Sequence, residues 1–93
     1  MSSKSIVQDG EKQCFLCGRQ TNLERHHIMA GPNRKHSEKY GVWVWLCHDC
    51  HTGTDGAQYN TTKGNLLKIE GQIAFERIHS HEEWMRIFGR NYL

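Results

Sequence analysis

Two stretches decide the fold: Cys14-Phe15-Leu16-Cys17-Gly18 and Leu46-Cys47-His48-Asp49-Cys50-His51. Each carries a Cys-x2-Cys pair, and 29 residues separate Cys17 from Cys47. Two residues between thiolates let one tight turn aim both sulfurs at a single ion, and two such turns complete a tetrahedral all-thiolate site. Gly18 relaxes the first turn just after its second ligand. The expectation is a structural Zn²⁺ held by Cys14, Cys17, Cys47 and Cys50. Such an ion adds folding free energy directly. It does no chemistry, because four thiolates leave no open coordination position. Disulfides in a secreted chain and reduced, metal-free buried cysteines are the alternatives. Thioredoxin-like redox chemistry is disfavoured, since neither pair has its βαβ setting.

Outward from the cysteines, the composition is that of one small globular domain. The chain has 93 residues, 37% hydrophobic and 24% charged, with formal net charge +2. A domain of this size is marginally stable unless something staples it. No apolar run approaches the length that spans a bilayer, and the N-terminus lacks a signal-peptide core. The expectation is a cytoplasmic protein without a membrane partner. Residues 1–13 read as a flexible N-terminal tail. Residues 14–93 read as a single zinc-stabilised α+β domain, with a core over about 14–56 and a helical cover over about 60–93. Charge is informative only locally. Arg34, Lys35, His36 and Lys39 fall in one short segment, which is either a solvated loop or a contact for phosphate.

Along the chain, Arg25–Met29 reads as a short strand broken by Ala30-Gly31-Pro32-Asn33. Arg34–Gly41 allows a helical turn stopped by Gly41. Val42–Leu46 has high β-propensity and weak alternation, which suggests burial on both faces. Its tryptophans pack in the sheet or, alternatively, form a ligand surface. Cys47–His51 turns into a helix closed by Gly53, Asp55 and Gly56. A longer helix is expected from Thr62 to Ile78, with Leu66, Ile69, Ile73 and Leu67, Ala74, Ile78 inward. Ser80-His81-Glu82-Glu83 is a capping-box pattern opening a last helix with Trp84, Ile87 and Phe88 inward and Gly89 as its stop.

Of seven histidines, His26 and His27 adjoin each other, and His48 and His51 adjoin cysteines. His51 directly follows the second cysteine pair, so a shared zinc draws it toward the His26-His27 segment. The pattern Cys14-x2-Cys17, Glu24-Arg25-His26-His27-Ile28, Leu46-Cys47-x2-Cys50-His51 resembles the HNH endonuclease family (His-Me finger, or ββα-metal, nucleases). It looks closest to the short HNH proteins of bacteriophages and prophages. The resemblance covers about Cys14 to His51. It implies a ββα-metal, treble-clef-like domain in a bacterial host cell, with C-terminal helices added.

Carried over by position, the resemblance makes His27 the general base. It makes His26 and His51 ligands of a catalytic divalent ion (Mg²⁺, Mn²⁺, Ni²⁺ or Zn²⁺), and it implies 5′-phosphate and 3′-hydroxyl products. The chain departs from the family where an asparagine usually braces the loop, about nine residues before the last histidine. Val42 stands there.

The chemistry agrees with these roles. A neutral imidazole is suited to taking a proton from water near neutral pH. A divalent ion on two imidazoles keeps positions open for phosphate and the leaving oxygen. The expected activity is nicking of DNA with low sequence specificity, with Arg34, Lys35, His36 and Lys39 on the phosphate backbone. A homodimer or a phage protein partner would extend it to double-strand cuts or targeting. The rival is a non-catalytic zinc-knuckle module that binds DNA or a protein. A nuclease acting on RNA or branched DNA would share the same chemistry. Bland roles exist for each histidine: His26 as a structural ligand or helix cap, His27 as a buried hydrogen-bonded side chain, His51 as a further ligand of the structural zinc. His48 reads as a surface residue beside the site, and His79 and His81 as plain surface. Asp55 and Gln58 are further candidates for the metal shell.

Overall fold

The computed structural model describes residues 4–93. Two antiparallel strands, β1 (Leu23–His27) and β2 (Trp43–Cys47), form the sheet. Between them lie a 3-10 turn (Gly31–Asn33) and helix α1 (Arg34–Tyr40). Helix α2 (His48–Thr52) follows β2 without a break, and α3 (Thr61–Glu76) and α4 (His81–Phe88) complete the chain. The architecture is a small α+β domain with four clustered cysteines, and no described helix is long and apolar enough to cross a membrane.

Local chemistry sets the boundaries of these elements. Pro32 opens the 3-10 turn, where its missing N–H is not needed. Helix α1 stops at Gly41, whose φ of 74° is left-handed, and the Gly41 N–H bonds the Ser37 carbonyl. A side chain there would also strike the Lys4 backbone, so Gly41 serves a close approach as well as a cap. Asn60 caps α3 by accepting from the Lys63 N–H at 3.0 Å. Ser80 caps α4 by accepting from the Glu83 N–H at 3.0 Å, as the Ser-His-Glu-Glu pattern predicts.

Register fixes what each face of the sheet carries. Arg25 pairs with Trp45, His26 with Val44 and His27 with Trp43. Since a strand alternates faces, Glu24 and His26 share one side with Val44 and Leu46, and Arg25 and His27 share the other with Trp43 and Trp45. Val44 and Leu46 are completely buried and Trp43 nearly so, which agrees with burial on both faces of β2. The core joins Ile28, Val42, Val44 and Leu46 to Leu67, Phe75, Trp84 and Phe88 of the two last helices. Trp84 also donates its indole N–H to the Arg90 carbonyl at 2.7 Å, so its one polar atom is satisfied.

One expectation needs correction. Helix α3 runs Thr61–Glu76, and its buried face is Leu67, Gly71, Gln72, Ala74 and Phe75, while Leu66 and Ile78 are exposed. The stripe turns toward Gly71 because the backbone there comes close to β2: a Cβ on Gly71 would sit 3.0 Å from the Val42 Cγ1. Phe75 then enters the cluster of Trp84, Phe88 and Tyr40.

The stretch read as a flexible tail contacts the sheet over its described part, residues 4–13, and residues 1–3 lie outside the described residues. Ser5 Oγ donates to the Trp43 carbonyl, the Ile6 N–H to the Gly41 carbonyl at 2.9 Å, and the Trp45 N–H to Gln8 Oε1 at 2.8 Å. These bonds satisfy the outer edge of β2, which a two-stranded sheet otherwise leaves bare.

Candidate functional site

The cysteine cluster forms where the turn before β1 meets the β2–α2 junction. The Sγ atoms of Cys14, Cys17, Cys47 and Cys50 all lie within 4.8 Å of one another, and Cys17 and Cys47 are 3.7 Å apart. A tetrahedron with Zn–S bonds of about 2.3 Å has edges of about 3.8 Å. The donor set and its spacing therefore fit a metal ion, consistent with a structural zinc. The thiols are already electrostatically uneven. Burial pushes Cys14 up, but the Cys47, Cys17 and Leu16 backbone N–H groups and the Cys17 thiol outweigh it and bring Cys14 down to about 6. Burial and the three neighbouring sulfurs push Cys50 up. A cation is what lets four clustered thiols all ionise.

On the buried face of β1, His26 meets His51 of α2, with ring centroids 5.1 Å apart and planes at 73°. Glu24, two residues before His26, organises this corner. Its Oε1 accepts from His51 Nδ1 at 2.8 Å and its Oε2 from His48 Nδ1 at 3.1 Å. Hydrogen bonds from His48 and His51 hold the Glu24 carboxylate below its usual range, and Glu24 in turn raises His48. With Nδ1–H directed to Glu24, His51 keeps Nε2 as its free lone pair. That is the arrangement a metal-binding imidazole takes when a carboxylate orients it. Burial, then the charges of His51, His27 and Lys68, lower His26 to about 4, so it is a neutral, lone-pair-bearing imidazole across the physiological range. Two histidine nitrogens at one corner can hold a divalent ion.

His27, next along the strand, turns to the other face. Its Nε2 lies 2.9 Å from Glu38 Oε1 of α1, and Arg25 Nη1 donates to the same carboxylate at 2.9 and 3.1 Å. The His27 and Arg25 hydrogen bonds draw Glu38 below its usual range. With Nε2–H donated to Glu38, Nδ1 of His27 is left to accept a proton. A cavity of about 450 Å³ opens here, lined by His27, Gly31, Pro32, Arg34, Lys35 and Glu38. The structure thus brings His26 to His51, and sets His27 with Arg34 and Lys35 on the opposite face of the same strand.

The remaining candidates separate. Lys39 Nζ stands 5.3 Å above the Tyr40 ring. His36 packs edge-on to Phe88, centroids 6.3 Å apart. Asp55 engages Asn60 and Lys63, at 2.7 and 3.1 Å. Gln58 donates its backbone N–H to the His51 carbonyl. His48 reaches Glu24, as above. His79 stacks on Phe75 with centroids 4.5 Å apart, so it is a packing residue rather than plain surface, and His81 pairs with Glu76 at 2.8 Å.

Sequence reasoning quoted Glu24 in its motif without giving it a role, and it missed Glu38 and Ser37. Glu24 was discoverable, because position i−2 on a strand shares the face of His26. Ser37 is fully buried; its Oγ donates to the Met29 carbonyl at 2.9 Å and accepts from the Met29 N–H at 3.0 Å. Its own carbonyl accepts from the Val42 N–H at 2.8 Å. The loop after His27 is therefore tied to α1 through Ser37 and to Val42 through the Ile28 N–H, which donates to the Val42 carbonyl at 3.1 Å, while the Val42 side chain supplies apolar contact. No family model, no curated protein and no solved structure matches the chain.

Proposed function

We propose that this protein is a metal-dependent HNH-type endonuclease that hydrolyses DNA phosphodiester bonds, with a structural zinc on its four cysteines. The observation that carries the reading is the meeting of His26 and His51 beside the cysteine cluster, with Glu24 orienting His51. These two histidines would hold the catalytic divalent ion, which when bound supplies positive charge to the phosphate and to the leaving 3′ oxygen. His27 takes the proton from the attacking water through Nδ1, and Glu38 stabilises the imidazolium so formed. Arg34 and Lys35 hold the backbone beside His27 and position the strand without reading bases. The scissile phosphate lies across the end of β1, where both faces of the strand are within reach. His27 is near enough to His26 to shift its charge equilibrium.

One observation favours the rival, a non-catalytic zinc-knuckle module that binds DNA or a protein: His27 stands on the opposite face from the His26–His51 pair. Nicking of supercoiled plasmid separates the two. With Mg²⁺, Mn²⁺ or Ni²⁺ added, the wild type nicks. His27→Ala loses roughly 10²–10⁴-fold in rate, the range general-base removal produces, while keeping its zinc. A wild type that never nicks, or a His27→Ala variant that nicks as fast, rejects the endonuclease. Bacterial, phage-associated origin belongs to the same proposal and rests on the resemblance alone.

A further inference from the structure

The described N-terminal segment does more than cover the edge of β2. It is bonded to that edge at Ser5, Ile6 and Gln8, and again where the Phe15 N–H donates to the Trp45 carbonyl at 2.8 Å. Between Gln8 and Phe15 the chain borders open space that the two indoles also line. A segment that only shielded the two indoles would lie on them, since a gap forfeits contact on both sides. Instead a cavity of about 440 Å³ stands in front of Trp43 and Trp45. That is within the range of small-ligand sites.

The chemistry of this cavity is specific. Trp43 and Trp45 sit edge to face with centroids 5.3 Å apart. Arg25 lies 3.9 Å over Trp43, and the Lys12 ammonium lies 4.2 Å over Trp45. Lys4 adds a third cation at the wall. Arg25 is held by Glu38, whereas Lys12 rests on an aromatic face at the end of a flexible stem. Trp45 is the more accessible of the two indoles. Aromatic faces beside cations are how proteins take unpaired bases together with their phosphates.

Position links the cavity to the candidate site. Arg25 lines this cavity and Glu38 lines the one at His27, and the two residues are bonded to each other. Trp43 is the register partner of His27. The two cavities therefore abut on one face of the sheet. Asp9 and Glu11 at the mouth of the tryptophan cavity disfavour the second phosphate row of a duplex.

We propose that the Trp43–Trp45 cavity binds an unpaired nucleotide of the strand being cut, its base stacked on Trp45 and its phosphate taken by Lys12 and Lys4. The inference deepens the endonuclease reading and rests on it for the neighbouring cleavage, but the binding is testable by itself. It makes single-stranded or locally opened nucleic acid, rather than continuous duplex, the preferred substrate.

The test is intrinsic fluorescence titrated with short oligothymidylate, short oligouridylate and a blunt duplex, without added divalent ion. Of three tryptophans, Trp84 is fully buried and Trp43 nearly so, so quenching reports chiefly Trp45. Both single strands quench the wild type and bind more tightly than duplex. Trp45→Ala raises Kd for single strands about 5- to 150-fold, from a stacking contribution of about 1–3 kcal/mol per base. Trp45→Phe keeps a face for stacking and stays within about 3-fold. Lys12→Gln, which leaves the strand untouched, lowers the salt dependence by about one counterion.

Tryptophan-dependent binding by a wild type that never cuts leaves the subsite standing and removes only the nuclease. The subsite is overturned by duplex binding as tightly as single strands, by absent quenching, or by unchanged Kd in Trp45→Ala together with an unchanged salt slope in Lys12→Gln.

Discussion

Placing an asparagine at position 42, where the HNH resemblance would have one, should damage this protein. Val42 occupies the position where HNH proteins usually carry it, is completely buried, and faces the Gly71 backbone with its Cγ1 3.0 Å from where a Cβ would be. Val42→Asn removes apolar burial worth about 1.5–3 kcal/mol. It also places an amide among Ile28 and Gly71, and a buried polar group without a partner costs about 1–3 kcal/mol more. The sum, roughly 2.5–6 kcal/mol, is a large share of the stability of about 5–15 kcal/mol that a small domain has. Val42→Ala is the control, because it removes the same hydrocarbon without burying an amide. Thermal and urea denaturation of the zinc-loaded proteins should rank wild type above alanine above asparagine, with the asparagine variant melting at least about 10 °C below wild type. The loop after His27 gains nothing from the substitution, since Ser37 already bonds both backbone groups of Met29. A Val42→Asn protein as stable as wild type and faster at nicking would refute this reasoning, and would place an amide-accepting group at a position that the structure fills with hydrocarbon.

Removing the carboxylate from Glu24 while keeping its shape (Glu24→Gln) should weaken a second divalent ion, Ni²⁺ or Mn²⁺, by about 10–100-fold in calorimetric titration of zinc-saturated protein; unchanged affinity would mean that His51 is not oriented through Glu24. His26 makes stability depend on pH. Its folded pKa, lowered by burial first to about 4, lies below the unfolded value of about 6.5. The unfolded chain therefore binds the extra proton, so this contribution is complete above about pH 6.5 and is lost as pH falls toward 4, about 3 kcal/mol at most. Urea denaturation across that window should show a flatter acid limb for His26→Gln than for wild type, and parallel limbs would reject the assignment. Chelation of the metal on the four cysteines, or Cys47→Ser, should unfold the domain at room temperature by circular dichroism, and a chelated chain that keeps its spectrum and its melting transition would show that the thiols hold no structural ion.

Several local features were legible because each has a local cause. Gly41 and Gly89 end helices at positive φ, Ser80 caps α4, and the cysteine spacing yields one cluster. The face of α3 was not legible. Hydropathy ranks Leu66 and Ile78 as core, yet both are exposed, because the contact is set by shape, and Gly71 is where α3 can approach Val42 and Ile28. The N-terminal segment has no apolar period to read. What holds it is the unpaired edge of β2, which any backbone or short polar side chain can satisfy.

The histidines show the same division. A strand period of two already assigns Glu24 and His26 to one face and Arg25 and His27 to the other. It cannot tell which helix covers each face, and that is what determines the chemistry. Helix α2 brings His51 to Glu24 and His26, while α1 brings Glu38 to Arg25 and His27. Each of His27 and His51 thereby gains a carboxylate that directs one ring nitrogen and leaves the other available. Two adjacent residues of one strand acquire different partners from two helices, and the proposed endonuclease would use that difference to hold a cation with one ring and move a proton with the other.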